Sequence, residues 1–130
     1  MVLFSSTPID PKLVYSLIEK NAAGSVIFHY AVAKAMDSKQ GITTHISYEA
    51  NGNVEQDMEN IAAEMRKNWE LTDVLIMRRQ GKVEIGEIIS LIAVSAPGSE
   101  AAFAACRHGL ACLKQMPTIT KTEAYSKVMR

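Results

Sequence analysis

The chain has 130 residues, 48% hydrophobic and 22% charged, enough apolar material for one globular domain spanning 1–130 that needs no disulfide or metal to form a core. Its 14 basic and 14 acidic side chains cancel to a formal net charge of zero. That balance excludes the broad basic footprint of a nucleic-acid binder, leaves room for a small cationic pocket, and gives little protection against self-association.

Met1–Ser5 has no basic region and too short an apolar run for a signal peptide, and no stretch reaches the length of a membrane span. The expected location is the cytoplasm, with no membrane partner. Asp10 before Pro11 reads as an N-cap with proline at the first helical position, and Leu13, Val14, Leu17 and Ile18 recur at helical spacing to near Asn21. Ser25 to Ala33 is β-branched and aromatic and reads as a buried strand; Ile42 to Glu49 alternates and reads as another. Asn53 caps a helix whose apolar stripe runs through Val54, Met58, Ile61, Ala62, Met65 and Trp69. Val74 to Arg79 is a strand, Gly81 and Gly86 bracket a turn, and Glu87 to Ala96 is a long apolar strand. Ser99 is placed to cap the last helix, with Ala102, Phe103, Cys106, Leu110 and Leu113 inward, and Ile119 to Tyr125 reads as a final strand. The order α, β, β, α, β, β, α, β predicts an α+β fold, a sheet packed with helices, rather than a doubly wound one. Neither G-x-G-x-x-G nor a P-loop is present.

Cys106 and Cys112 lie six apart in one predicted helix and point to different sides, as free buried thiols of a reducing compartment would. His29 reads as a satisfied core residue, His45 as facing solvent or a cleft, and His108 as lying on the polar side of the last helix. No pair has the spacing of H-E-x-x-H, so no metal site is expected, and no G-x-S-x-G elbow supports a hydrolase. The doublets Arg66-Lys67 and Arg78-Arg79 read as solvated faces.

Lys114 closes the last helix, and Lys121 follows seven residues on, past Pro117, in a predicted strand. Two ammonium groups held together at such a junction attract an anion, and each disfavours the other's charged form. A lysine so placed serves as nucleophile or acid/base. The spacing alone favours two solvated surface lysines.

Taken together, the residues resemble the large, catalytic subunit of molybdopterin synthase. Pro8-Ile9-Asp10 and Ala23-Gly24-Ser25-Val26-Ile27 resemble the start of that family's G-A-v-v-x-F-x-G-x-x-R; Tyr48-Glu49-Ala50 and a helix ending near Trp69 follow. Arg79-Gln80-Gly81 through Gly86-Glu87 is similar to H-R-x-G-x-l-x-i-G-[DE]. Beyond the strand Leu91 to Ser95, Ala102-Phe103-Ala104-Ala105-Cys106-Arg107 follows A-F-x-A-c-R, and Leu113-Lys114 with Lys121 and Glu123 tracks L-K-x-x-x-P-x-W-K-x-E. The resemblance covers nearly the whole chain. It implies an α/β hammerhead-type fold, a homodimer, and a ubiquitin-like small subunit whose C-terminal Gly-Gly carries a thiocarboxylate. It implies sulfurtransferase activity: two sulfurs pass in turn to cyclic pyranopterin monophosphate, making the dithiolene of molybdopterin, with no cofactor of the protein's own. It implies that Lys114 and Lys121 are the catalytic pair, with substrate binding by His29, Lys34 and Arg107.

The chain departs from the family pattern at several positions. A His-Arg pair usual before the last helix falls on Gly98 and Ser99; the first-strand phenylalanine, glycine and arginine fall on His29, Ala31 and Lys34. Thr120 stands where the tryptophan would be, Pro117 comes one position early, and Arg78 replaces the histidine of the H-R-x-G motif. Losing an arginine fork removes a bidentate phosphate contact, at about 1.5–3 kcal/mol for each charge-assisted bond. Arg78, Arg107 or Lys127 could compensate. The alternative reading is a catalytically impaired homologue, a dimeric binding module for a ubiquitin-like tail or small anion.

Overall fold

The computed structural model describes residues 1–126. Its elements are β1 (Val2–Ser5), α1 (Pro11–Leu17), β2 (Ser25–Val32), β3 (Asp37–Ser38), β4 (Gly41–Ala50), α2 (Val54–Asn68), β5 (Asp73–Arg79), β6 (Gly81–Glu84), β7 (Ile88–Ala96), α3 (Ser99–Lys114) and β8 (Ile119–Ser126). The architecture is α+β. One sheet has the order β1-β5-β7-β2, with β1 parallel to β5 and the other pairs antiparallel. In the second sheet β4 is the hub: β8 runs antiparallel along nearly all of it, while β3 and β6 pair with shorter stretches.

The central strands β5 and β7 are buried on both faces, which is why they read as near-continuous apolar runs. Val74, Ile76, Ile92 and Val94 point to one side, where Met58, Ile61 and Met65 of α2 and Ala102, Ala105 and Leu113 of α3 cover them. Leu75, Met77, Leu91 and Ala93 point to the other, under Val14 of α1 with Ile9 and Ile18. Gly109 lets α2 and α3 close: a Cβ there would lie 2.7 Å from Met65 Sδ. A smaller core of Ala33, Ile46, Tyr48 and Val83 belongs to the second sheet.

Several local expectations change. Three short strands were not foreseen. β1 is held by parallel pairing with β5, β3 has two residues, and β6 occupies the expected turn. Gly81 and Gly86 both have positive φ, but Gly81 itself opens a strand, and Gly81 to Glu84 pair with β4. β2 is half-buried rather than buried, because it is an edge strand of its sheet. Helix α1 stops at Leu17, Ile18 is extended, and the ammonium of Lys20 donates to the carbonyls of Tyr15 and Ile18. Gly98, not Ser99, is the N-cap of α3, with no side-chain cap bond. Arg78 and Arg79 are not a solvated doublet: Arg79 is 4% exposed and bonds the Lys82 carbonyl, and Arg78 turns inward. His108 lies half-buried on the α2–α3 seam instead of a polar face. Among the described residues, no helix is long and apolar enough to cross a membrane.

Candidate functional site

The site forms where α3 ends and β8 begins. Gln115 caps α3 through its N–H, bonded to the Cys112 and Leu113 carbonyls, and Pro117 then prevents the helix from continuing. The chain turns back as β8, whose register against β4 sets Lys121 opposite Tyr48. From β5, Arg78 donates Nη1–H to the Leu113 carbonyl at 2.9 Å, placing a cation on the negative end of the helix. Its guanidinium carbon sits 5.6 Å from the centre of the Tyr48 ring, a cation–π contact.

These elements enclose a cavity of about 270 Å³ lined by Tyr48, Arg78, Lys114, Met116, Ile119 and Lys121, together with Leu113. Every charged residue lining it is cationic, in a chain whose formal net charge is zero. A second cavity of about 370 Å³ shares Tyr48, Arg78, Leu113 and Lys114 and extends to His29 and Ser90. The two form one cationic notch with an apolar floor.

Burial lowers the Arg78 pKa from its ordinary value. Burial raises that of Tyr48, opposed by the positive charges of Lys121 and Arg78. The hydrogen bond from Lys121, then that from the Thr43 hydroxyl, holds the Glu123 carboxyl below the usual range; the Lys121–Glu123 ion pair is 3.2 Å long. Nε of Arg78 and Nδ1 of His29 are buried without a hydrogen-bond partner. So His29 is not the satisfied core histidine expected from its apolar strand. Two residues that line the notch thus each carry a buried nitrogen without a hydrogen-bond partner.

Lys114 and Lys121 are therefore brought together, and His29 joins them through the larger cavity. Arg107 is not in the notch. It lines a separate cavity of about 280 Å³ with Phe28, His29, Phe103 and Cys106, so His29 separates the two. Lys34 is exposed beyond the end of β2 and lines none of these cavities. Gly98 and Ser99 begin α3 and Lys114 ends it, about 22 Å away at 1.5 Å per residue. Within one chain the missing His-Arg pair could not have reached the notch. Lys127 lies outside the described residues. Tyr48 was not expected in the site, and Arg78 only as a residue that could compensate for the lost arginine. The available signal was Arg78 in the histidine position of the H-R-x-G motif.

The MoaE protein family matches residues 4–116. The molybdopterin synthase catalytic subunit of Bacillus subtilis is 32% identical over 123 residues, covering 93% of this chain and 77% of that protein. The catalytic subunit from a Nostoc species is 27% identical over 118 residues, 89% of this chain and 71% of that one. The crystal structure of molybdopterin synthase from Staphylococcus aureus superposes with a TM-score of 0.85 at 23% identity, over 98% of this chain and 91% of that chain. A Helicobacter pylori complex of subunits 1 and 2 of molybdopterin-converting factor gives 0.75 at 10% identity, over 94% and 83%. The structural likenesses carry the fold, the sequence matches carry the kinship, and this chain belongs to the MoaE family.

Proposed function

We propose that the protein acts in molybdenum cofactor biosynthesis as the catalytic subunit of molybdopterin synthase. It transfers sulfur from the thiocarboxylated C-terminus of a ubiquitin-like small subunit to cyclic pyranopterin monophosphate. The observation that carries this reading is the notch that gathers Arg78, Lys114 and Lys121 around a half-apolar cavity. Both reactants are anions, a thiocarboxylate and a phosphate, and confined cations hold them far better than solvated ones do. Lys114 and Lys121 hold the tail and exchange protons as C–O bonds give way to C–S bonds. Arg78, fixed by the Leu113 carbonyl and the Tyr48 ring, supplies a rigid positive group for the phosphate. His29 lines the larger of the two cavities. Each sulfur delivered leaves a tail whose terminal carbon takes an oxygen from water, so one dithiolene consumes two tails.

The reading includes one domain over residues 1–130, a homodimer and a cytoplasmic setting. The impaired-homologue alternative drew on Gly98, Ser99 and the altered first-strand motif at His29, Ala31 and Lys34; the notch does not use Gly98, Ser99 or Lys34, whereas His29 and Ala31 line its larger cavity. The test mixes purified protein, thiocarboxylated small subunit and pyranopterin precursor. Dithiolene formation that disappears in Lys114→Ala is the expected result. Tight tail binding without product in the unmutated protein would overturn catalysis in favour of a binding role.

A further inference from the structure

We propose that Glu64, His108 and Cys112 form a binding site for one divalent transition-metal ion of the zinc class, on the seam between α2 and α3. His108 and Cys112 are four residues apart on α3, one turn above the other, and Glu64 faces them from α2. His108 Nε2 lies 3.1 Å from Glu64 Oε1 and 3.6 Å from Cys112 Sγ, and the three ligand atoms all lie within 4.8 Å of one another. A tetrahedral zinc ion, at about 2.1 Å from nitrogen and oxygen and about 2.3 Å from sulfur, separates its nitrogen and sulfur ligands by about 3.6 Å and its nitrogen and oxygen ligands by about 3.4 Å. The donor atoms are thus already near the edges of that tetrahedron. Glu64, half exposed, is free to close the remaining gap.

The same three residue types could instead suggest a Cys-His-Glu proton relay. The geometry argues against it. A relay uses both imidazole nitrogens, one toward the nucleophile and one toward the carboxylate. Here thiol and carboxylate meet the same Nε2, which carries at most one proton. Donors converging on one point suit a cation. The Trp69 ring, 5.4 Å from the His108 ring and tilted 54° to it, sets the imidazole plane, and Gly109 lets the two helices approach closely enough for the set to form.

A thiolate, an imidazole and a carboxylate favour zinc or cobalt over magnesium or calcium, which prefer all-oxygen shells. On binding, the Cys112 proton leaves to solvent and the neutral imidazole carries its proton on Nδ1. Glu64 and Cys112 also line a cavity of about 170 Å³ with Asp57, Asn60 and Gln115, which gives the ion an entry path and room for water as fourth ligand. Asp57 is engaged by the Thr118 hydroxyl at 2.7 Å and is not counted as a ligand. Met116 walls both this cavity and the cationic notch, so the ion would clamp α2 to the end of α3 that bears Lys114. No metal is expected from the sequence, where no two histidines share a ligand motif; this set takes its third member from another helix.

The test uses the full chain, freed of metal with a chelator. Titration with Co²⁺ should give one ion per chain and a sulfur-to-cobalt charge-transfer band that added Zn²⁺ removes. Cys112→Ala should abolish the band, and Cys112→Ala and His108→Gln should each weaken Zn²⁺ binding by about 100-fold, the upper end of what losing a mere supporting group costs. Cys106→Ala should change neither, and circular dichroism of each variant checks that it folds. Absence of one-to-one binding, a band that survives Cys112→Ala, or an affinity unmoved by both substitutions overturns the proposal.

Discussion

Arg78→Met separates stability from ligand binding at the notch. The substitution removes the charge-assisted bond to the Leu113 carbonyl, about 1.5–3 kcal/mol, and the cation–π contact with Tyr48, about 0.5–1 kcal/mol. It also removes a buried charge whose Nε has no partner, a group whose desolvation costs about 1–3 kcal/mol or more. The terms oppose each other, and a methionine fills much of the vacated volume. The unliganded variant should melt within about 4 °C of the parent, since roughly 1 kcal/mol moves the midpoint of a chain this size by that much. Anion binding has no such compensation. Loss of one charge-assisted contact to phosphate, about 1.5–3 kcal/mol, weakens affinity by about 10–150-fold. Differential scanning fluorimetry over a series of inorganic phosphate concentrations reads both quantities, because a ligand at concentration c that binds only the folded state stabilises it by RT ln(1 + c/Kd) and so raises the midpoint with concentration. A phosphate-dependent shift that persists at the parental concentration range in Arg78→Met would refute the assignment of this residue to the anion site.

Lys121→Ala should leave stability within about 1 kcal/mol, since the lysine of its pair with Glu123 is half exposed, while cutting dithiolene formation at least tenfold in single-turnover assays. Gly109→Ala should destabilise by about 1–3 kcal/mol in urea unfolding, because the added methyl meets Met65 Sδ at 2.7 Å and Ile92 Cδ1 at 3.3 Å. Asp73 is partly buried, which alone would raise its pKa, but hydrogen bonds from the Glu19 N–H, Arg66 and the Val74 N–H outweigh burial and hold it below its ordinary value of 3.8. A carboxyl depressed in the folded state contributes stability that is complete above the unfolded value and lost as pH falls through the folded one. Asp73→Asn should therefore flatten the acid limb of a melting-temperature profile below about pH 4 and lower the midpoint at pH 7; parallel profiles would show that Asp73 takes no part.

Much of this molecule is local physics. Asp10 ahead of Pro11, Asn53 ahead of a 3.6-residue stripe and the apolar run into Ala96 each announce an element, because capping and periodicity act over a few residues. The lysine pair was visible for the same reason: a helix end, a proline and a strand set its spacing. What failed locally depends on partners far along the chain. β1 is a strand only because β5 lies beside it, and β6 only because β4 does. Nothing in Arg78-Arg79 distinguishes a solvated doublet from a buried one. The difference arises when β5 docks under the end of α3 and offers the guanidinium a helix carbonyl and a tyrosine ring. Likewise His29 loses its partner and His108 gains Glu64 through packing alone. The order of residues determined the elements, the family pattern and the pair of C-terminal amines. Only the folded arrangement decided which cations share a cavity, because charge confined in a notch depends on distances through space that no spacing along the chain encodes.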